Sequence, residues 1–368
     1  MYKIQILTNI DKNKWNDNLC KSNYSTFYQT FEYLNSNTNK ESFPVFVNIL
    51  DDEQNVVAQL GLLVIRTTVL YGSPLFCKIL KIISSISSRG VWLYGPIIHS
   101  KEKEKRKQIL KIIIKATKSV LEKYDLVFIE GYSPPLDDLI DDDFINEYKK
   151  NGYKITNYVT FINNLKKPLD EIWNNVQRYT KTNVKRAAKR NILIKELETY
   201  DEAKQNLTLF QKWSKTKGIV ISDPNQELEK FWKRHNTVFE KTFLAYKNHE
   251  LVASITISCF NKIIIPLQVI NSYSAEARNL AGPALTWNAI KESKESGFQI
   301  YDITGGILLS ENESNSSSSF SLTHYKRKWG GEEQKHYHFI KIHKKFSYMI
   351  FTKLFKILRW YHDHSRKS

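Results

Sequence analysis

The stretch GPALTWNAIKESKESGFQIYDITGG, Gly282–Gly306, indicates the fold class because it joins a helix pattern directly to a strand pattern. Gly282 and Pro283 open the helix, and proline suits the first helical turn, where its missing N–H has no partner to lose. The pattern predicts a helix over Ala284–Glu295 and a strand over Gln299–Ile303. A helix that leads into a strand is typical of folds that layer helices on a sheet.

An earlier part of the chain repeats this arrangement. Gly95 and Pro96 precede a helix pattern over Glu102–Tyr124, and the strand VFIEG then ends at Gly131. Self-similarity of this kind indicates two copies of one supersecondary unit. The sequence therefore predicts two similar domains.

Strand and helix patterns alternate along the rest of the chain. They predict an α/β (α+β) fold in which each domain has a mixed central sheet flanked by helices. Two hairpins are predicted, with turns at Asn248–His249 and Asn261–Lys262. The predicted domains are residues 1–165 and 166–345, followed by a basic amphipathic helix over 346–368. The low-complexity stretch Ser310–Ser321 is predicted to be a mobile surface loop.

Composition and charge limit the classes of function. The chain has 368 residues, of which 41% are hydrophobic and 13% aromatic, so a folded state with real cores is expected. The longest unbroken apolar runs, Gly61–Ile65 and Ile263–Leu267, are far shorter than the ~20 residues of a spanning helix. The net charge of +17 favours anionic partners: nucleic acid, phosphorylated small molecules or an acidic membrane face.

Cysteine usage and the first residues bear on the compartment. Cys20, Cys77 and Cys259 are odd in number and far apart, which argues against a disulfide framework and against a CxxC-type zinc site. The opening segment has no apolar signal block. The sequence therefore predicts a cytoplasmic protein without a bound metal, and a peripheral position at the inner face of the membrane is an alternative.

A basic helix is predicted over Leu169–Arg190. At 100° per residue, its apolar face consists of Ile172, Trp173, Val176, Val184 and Ala187. The opposite face has Arg178, Lys181, Lys185 and Lys189, with Arg186 and Arg190 at its margins. From Arg178 to Arg190 the chain has six basic residues and no acidic one. Like charges four residues apart destabilise an isolated helix unless a ligand such as phosphate compensates. We interpret this face as an anion-binding surface, with an ordinary solvated face as the alternative.

The end of this helix has its own signal. Asn191 follows the last basic residue, at the position where a helix needs glycine or asparagine to adopt the left-handed conformation. The sequence therefore predicts a left-handed Asn191.

Three further segments have the residue types of a phosphate or acyl site. Asn279–Ala284 (NLAGPA) places glycine before a helix start, where backbone N–H groups bind phosphate or pyrophosphate. Tyr301–Gly306 (YDITGG) is a strand that ends in a carboxylate and two glycines, and Tyr325–Gly331 (YKRKWGG) combines cations, aromatics and a glycine pair. Each segment also fits a common local structure that binds no ligand: a helix start, a turn signal and a basic turn, respectively.

These pieces, in this order and spacing, resemble the FemABX family of the GNAT acyltransferase superfamily across essentially the whole chain. The matching segments are FYQTFEYL (Phe27–Leu34), VWLYGPII (Val91–Ile98), DEIWNNVQRYTKTNVKRAAKRNI (Asp170–Ile192), GPALTWNAIKESKESGFQIYDITGG (Gly282–Gly306) and HYKRKWGGE (His324–Glu332). The resemblance implies tandem GNAT-like domains with a cleft between them. It also implies transfer of an acyl or aminoacyl group to an amine.

The resemblance further implies which residues form the site. Lys181 takes the position of the family's signature-helix arginine, Asn183 that of its asparagine, and Tyr325-Lys326 that of its Phe-Lys pair. The predicted substrate-binding residues are Lys181, Asn183, Lys185, Arg186, Tyr325, Gly305 and Gly306. The predicted residues for a coenzyme A donor are Asn279, Gly282 and Ala284, which keep the spacing of the GNAT pyrophosphate motif.

The predicted catalytic residues are Lys326 and Asp302. Acyl transfer to an amine needs the amine held near the carbonyl, removal of one proton and stabilisation of a transient oxyanion. No spacing of serine or cysteine with histidine suggests a covalent nucleophile, so direct attack by the acceptor amine is expected. Lys326 would neutralise the oxyanion or a donor phosphate, and Asp302 would act as a base or fix the turn before Gly305.

Donor and acceptor are predicted by class only. No tightly bound cofactor is expected; the donor is an aminoacyl-tRNA or, alternatively, an acyl-CoA. The acceptor is a nucleotide- or lipid-linked amine of a cell-envelope precursor, or an amino sugar. A nucleic-acid or membrane-surface binder without catalysis is the non-enzymatic alternative.

The C-terminal segment supports a contact with an anionic membrane. Lys341–Ser368 has eight basic residues and one acidic residue. A helix there would place Lys353, Lys356 and Arg359 opposite Ile350, Leu354, Leu358 and Tyr361. Docking of this helix on the protein's own body is the alternative.

Overall fold

The computed structural model describes residues 2–66, 86–217, 223–272, 274, 277–307 and 318–364. The strands are β1 (Lys3–Leu7), β2 (Ser42–Leu50), β3 (Val56–Ile65), β4 (Arg89–Trp92), β5 (Ile97–Ile98), β6 (Phe128–Tyr132), β7 (Lys154–Asn164), β8 (Leu193–Glu196), β9 (Glu240–Lys247), β10 (Glu250–Phe260), β11 (Ile263–Asn271), β12 (Ile300–Asp302), β13 (Gly306–Ile307) and β14 (Glu332–Ile342). The helices are α1 (Lys12–Cys20), α2 (Phe31–Ser36), α3 (Lys103–Lys123), α4 (Asp142–Lys150), α5 (Leu169–Asn175), α6 (Arg178–Lys189), α7 (Tyr200–Lys217), α8 (Pro224–His235), α9 (Gly282–Glu295), α10 (Ser318–Arg327) and α11 (Lys345–His364). The predicted α/β class is confirmed.

The chain forms two compact units. The first unit takes the residues up to Asn157 and from His336 onward, and the second unit is Tyr158–Lys335. Both boundaries fall inside strands, β7 and β14, so the chain passes between the units without a separate linker.

The first unit is built on a mixed sheet with the strand order β1-β2-β3-β4-β6-β14. Neighbouring strands are antiparallel except β4 and β6, which are parallel. Helix α3 buries an apolar stripe that includes Ile109, Ile113 and Val120 in the same core as Val47 and Leu62 of the sheet. The apolar periodicity of α3 thus places one face of the helix in the core of the first unit.

The second unit is built on a mixed sheet with the strand order β7-β12-β11-β10-β9-β8. Strands β11 and β12 are parallel, and the other neighbours are antiparallel. Helix α9 packs against β9, β10 and β11, and α6 packs against α9. The core includes Leu285 and Ile290 of α9, Ile255 of β10 and the fully buried Trp329.

The two units contain the same supersecondary element, which confirms the predicted repeat. In the first unit β3, β4, α3 and β6 form an antiparallel pair, a helix and a parallel strand; in the second unit β10, β11, α9 and β12 do so. The Gly-Pro pairs differ in place, since Pro283 lies in the first turn of α9 whereas α3 begins seven residues after Pro96, at Lys103.

The parallel strands stay together in one unit and separate in the other. In the first unit Arg89–Trp92 pairs with Phe128–Gly131 along the whole of β4. The buried Trp92 ring covers Gly131, where an added Cβ would lie 2.0 Å from the ring. In the second unit only Ile263 and Ile264 of β11 pair with β12, so among the described residues the later part of β11 has β10 as its one strand neighbour.

Both predicted hairpins are present. Asn248 and His249 join β9 to β10, and Asn261 and Lys262 join β10 to β11, each with positive φ. Two consecutive positive φ angles define the two-residue turn whose twist matches paired strands, and asparagine tolerates that conformation. Asn191 also has a positive φ of 55°, as its position after α6 predicts.

The prediction of one continuous helix over Leu169–Arg190 is wrong. Val176 and Gln177 are extended, with ψ of 135° and 143°, and they separate α5 from α6. Val176 is buried in the core, and the N–H of Gln177 donates to the carbonyl of Lys328 at 2.9 Å instead of bonding within a helix. A tertiary hydrogen bond therefore overrides the helical pattern.

The prediction of a loop over Ser310–Ser321 is wrong for its last four residues. Residues 308–317 lie outside the described ranges. Residues from Ser318 onward begin helix α10, which leads to Lys326.

Candidate functional site

The centre of the candidate site is Asp302, the last residue of β12. Its side chain is 0% exposed. Its Oδ1 accepts hydrogen bonds from the hydroxyl of Thr160 on β7 and from the N–H of Thr304, the latter at 2.8 Å. A carboxylate without access to water must be held by such donors, because burial of an unsatisfied charge is costly. Asp302 is therefore fixed in place and shielded from solvent.

Thr304 has an unusual backbone conformation. Its φ is +66°, in the left-handed region that β-branched residues rarely enter. A residue held there costs about 1–3 kcal/mol, and the surrounding structure must compensate. The N–H bonded to Asp302 and the Oγ1 bonded to Lys326 do so. Local strain of this kind is concentrated at functional sites, which makes this turn a candidate on its own.

Lys326, on the last turn of α10, reaches this turn. Its Nζ donates to Oγ1 of Thr304 at 2.7 Å and to the carbonyl of Gly305 at 2.9 Å. An ammonium has three N–H donors, and these two bonds are the ones that Lys326 Nζ makes to the described residues. Burial lowers the pKa of Lys326 to about 8, and the nearby negative charge of Asp302 opposes that shift.

The titration of Lys326 gives a test that needs no substrate. We expect Asp302→Asn to keep the acceptor oxygen but to lower the pKa of Lys326 further, because the stabilising negative charge is lost. Competitive labelling of amines with acetic anhydride across pH, followed by mass spectrometry, measures the pKa of this one lysine. Asp223→Asn, at the exposed start of α8, is the control and should leave Lys326 unchanged. A Lys326 pKa that stays constant or rises in Asp302→Asn would contradict this electrostatic coupling.

The turn after α10 is tied to the break between α5 and α6. Gly330 has a φ of +72°, and a Cβ on it would lie 2.3 Å from the backbone oxygen of Asn175 at the end of α5. The carbonyl of Lys328 accepts the N–H of Gln177, directly before α6. Packing thus requires glycine at position 330. The turn also connects α10, which carries Lys326, to the start of α6.

Helix α6 presents the predicted basic face. Thr180, Asn183 and Ala187 are buried on the side that packs into the unit, whereas the cations lie on the other side. The side chain of Lys181 is half-buried and donates to the carbonyl of Asn174 at 3.2 Å. The other cations of α6, and Arg190 directly after it, are exposed: Arg178, Lys185, Arg186, Lys189 and Arg190. Within the described ranges no carboxylate forms an ion pair with any of these six cations, which fits a surface for a polyanion.

The predicted coenzyme A residues do not share a surface. Asn279 is exposed, whereas Gly282 and Ala284 are buried. Gly282 lies inside a helical segment, because a π-helical turn over Ala277–Ala281 precedes it and Ala281 is itself helical. A Cβ on Gly282 would lie 2.7 Å from Oδ1 of Asn271. The glycine allows this close approach and does not expose free N–H groups at a helix start.

The remaining predicted residues have packing roles. The ring of Tyr325 packs against the core; burial raises the pKa of its phenol, and a hydrogen bond with Thr286 of α9 opposes that shift. Gly306 packs against Thr323, where a Cβ would lie 2.1 Å from Oγ1. Gly305 contributes its carbonyl to Lys326. The structure thus brings together Lys326, Asp302 and Gly305. It adds Thr160, which no sequence signal identifies, and Thr304, which lies in YDITGG but has no predicted role.

The described residues lack two other kinds of feature. In that part of the chain there is no group of three or more His, Cys, Asp or Glu side chains placed to hold a metal ion. No helix within the described ranges combines the length and apolar character needed to cross a membrane.

Comparison with known proteins identifies the fold. No protein-family model matches the chain, and no curated protein matches its sequence. Solved structures do match. A crystal structure of FemX has a TM-score of 0.68 at 13% identity and covers 94% of this chain and 99% of its own.

Two further structures agree with this result. A tandem GNAT protein from the clavulanic acid biosynthesis pathway has a TM-score of 0.53 at 9% identity, covering 93% of this chain and 98% of its own. L-PGS from Bacillus licheniformis has a TM-score of 0.53 at 11% identity, covering 86% of this chain and 89% of its own. At these identities the likeness establishes the fold. The chain has a tandem GNAT fold of the FemX type, so the sequence resemblance to the FemABX family is confirmed at the level of the fold.

Proposed function

We propose that the chain is an N-acyltransferase that moves an aminoacyl group from an activated carrier to the nitrogen of an acceptor amine. The observation that carries this proposal is the Lys326 ammonium, which Thr304 and Gly305 hold through two of its three N–H donors. A fixed cationic donor in a poorly solvated site is the means by which acyl transfer stabilises its oxyanion. The fold agrees, since its relatives include proteins named as FemX and as a tandem GNAT.

The chemistry needs no covalent intermediate with the protein. The acceptor nitrogen attacks the carbonyl carbon of the ester, a C–N bond forms, and the carbonyl oxygen becomes negative. Lys326 donates its remaining N–H to that oxygen. The C–O bond to the carrier then breaks, and the proton lost by nitrogen goes to the carrier oxygen. Because Asp302 is buried and held by Thr160 and Thr304, we assign it as a positioning residue for the turn and not as the base.

We further propose aminoacyl-tRNA as the donor. Five cations of α6 and the adjacent Arg190, without acidic partners in the described part of the chain, form a surface suited to a phosphate backbone. The alternative donor, acyl-CoA, would use Asn279, Gly282 and Ala284, and the burial of two of these residues argues against a pyrophosphate seat there. The acceptor is proposed as the amine of a cell-envelope precursor or an amino sugar.

Binding measurements across a salt series test the donor. We expect Lys181→Gln/Lys185→Gln/Lys189→Gln to weaken binding of labelled aminoacyl-tRNA by about 100-fold or more and to reduce the salt slope by about 2–3 units. The matched control is Lys111→Gln/Lys115→Gln/Lys118→Gln on α3, which makes the same change in net charge on exposed lysines of a helix.

The outcomes separate the two donors. Equal effects of the two triple variants on tRNA binding would show that overall charge, not α6, attracts the nucleic acid. Binding of acetyl-CoA that is insensitive to both triple variants, in the absence of tRNA binding, would overturn the tRNA proposal and leave the acyl-transfer proposal standing.

A further inference from the structure

The last helix, α11, packs on the first unit through one face. Tyr348, Phe351 and Phe355 contact the apolar surface formed by Phe128 and Ile340. The ring of Phe128 lies 5.1 Å from that of Tyr348 and 5.8 Å from that of Phe351, measured between centroids. The prediction that this helix docks on the protein's own body is therefore supported for this aromatic face.

The opposite face of α11 combines cations with large apolar side chains. At 100° per residue the following exposed residues fall within an arc of about 120°. They are Lys345, Phe346, Met349, Lys353, Lys356 and Ile357. Phe346 is 71% exposed, Met349 44% and Ile357 55%. This arc, the outer face of α11, differs from the sequence prediction, which separated the cations from the apolar residues.

The lysines of the outer face differ from their neighbour Lys344 in their ion pairing. Within the described ranges no carboxylate pairs with Lys345, Lys353 or Lys356, whereas the preceding Lys344 is paired with Asp125. The segment from Lys341 onward has eight basic residues and one acidic residue. Large exposed apolar side chains rimmed by polar residues on one face are a feature of interaction surfaces.

The mixture of residues distinguishes among possible partners. A nucleic acid would neutralise the lysines but would leave Phe346, Met349 and Ile357 without apolar contact. A second copy docked face to face would bring the three lysines against three others. An anionic bilayer satisfies both kinds of side chain, because apolar groups enter the acyl boundary while lysine stems extend their ammonium groups to the phosphates.

We propose that the outer face of α11 docks the protein on the surface of an anionic phospholipid bilayer, with the helix lying in the plane of the interface. The apolar residues supply insertion and the lysines supply attraction to the headgroups. This proposal does not depend on acyl transfer, because none of its residues belongs to the Lys326 site.

Sedimentation with vesicles tests the proposal on the full chain. The vesicles are phosphatidylcholine alone or an equal mixture of phosphatidylcholine and phosphatidylglycerol. We expect binding to the mixed vesicles only. Lys345→Gln/Lys353→Gln/Lys356→Gln should weaken it by about 100-fold, since each lysine near such a surface contributes a severalfold increase in affinity. Phe346→Ser/Met349→Ser/Ile357→Ser should weaken it by a similar factor through the lost apolar burial.

Control variants make the same kinds of chemical change elsewhere. Leu193→Ser/Val238→Ser removes two exposed apolar side chains of the second unit, and Lys111→Gln/Lys115→Gln/Lys118→Gln removes three exposed lysines of α3. All variants are compared by circular dichroism and thermal melting to confirm that they fold.

Three results would overturn the proposal. One is absence of wild-type binding to the anionic vesicles. Another is an equal loss of binding in the control variants. The third is self-association of the wild type, measured by analytical ultracentrifugation, that the Phe346→Ser/Met349→Ser/Ile357→Ser variant abolishes, which would assign the face to a second copy of the chain.

Discussion

Lys326→Ala is expected to lower kcat for acyl transfer by about 100- to 1000-fold, the loss typical of removing one oxyanion donor. Thr304 and Gly305 hold the ammonium in a fixed position. We therefore expect its remaining N–H to stabilise the oxyanion of the transition state more than the bound substrate. KM for the donor should change little. Enzyme-dependent transfer of a labelled amino acid from aminoacyl-tRNA to hydroxylamine, a surrogate nucleophile, measures the effect.

Two control variants sharpen this result. Lys328→Ala removes a lysine from the same turn, but within the described ranges Lys328 makes its hydrogen bonds through its backbone N–H and carbonyl, so activity should stay near that of the wild type. Lys326→Arg keeps the charge but not the compact geometry, and partial activity is expected. Unchanged kcat in Lys326→Ala, with folding intact, would remove this residue from the mechanism and with it the main support for the proposed function.

Gly330→Ala is expected to lower the free energy of unfolding by about 2–5 kcal/mol. Part of the cost is the left-handed φ of +72°, which is unfavourable for alanine by about 1–2 kcal/mol. The rest is overpacking, because the new Cβ would lie 2.3 Å from the carbonyl oxygen of Asn175, and backbone at a helix end cannot move aside cheaply. Urea unfolding followed by circular dichroism measures the change.

Gly297→Ala is the matched control in the same unit. Gly297 also follows a helix and has a φ of +82°, but a Cβ there would meet nothing within 4 Å. Its substitution should cost only the conformational part, about 1–2 kcal/mol. If the two variants lose equal stability, the close approach of Gly330 to Asn175 does not add to the cost of Gly330→Ala. The packing requirement for glycine at position 330 would then be contradicted.

The site illustrates what sequence patterns could and could not supply. Lys326, Asp302 and Gly305 were found because they stand in recognisable local motifs. The roles of Thr304 and Thr160 were not predicted. No sequence pattern marks a threonine with a strained backbone, such as Thr304, or a hydroxyl that bonds a carboxylate 142 residues away, such as that of Thr160. Conversely, Gly282 matched a phosphate-binding pattern, yet a π turn before it and the side chain of Asn271 beside it make it a packing glycine.

The sequence by itself determined the features that depend on near neighbours along the chain: the alternation of helices and strands, the two asparagine hairpins, the repeated supersecondary unit, the basic face of α6 and the left-handed Asn191. Each of these follows from periodicity or from the backbone preferences of one or two residues. The tertiary structure alone decided the break at Val176–Gln177, the buried anchoring of Asp302, the burial of Gly282 and the exposed apolar residues of α11. Those features depend on strand order and on which surfaces meet, and pairings between distant residues leave no periodic trace in the chain.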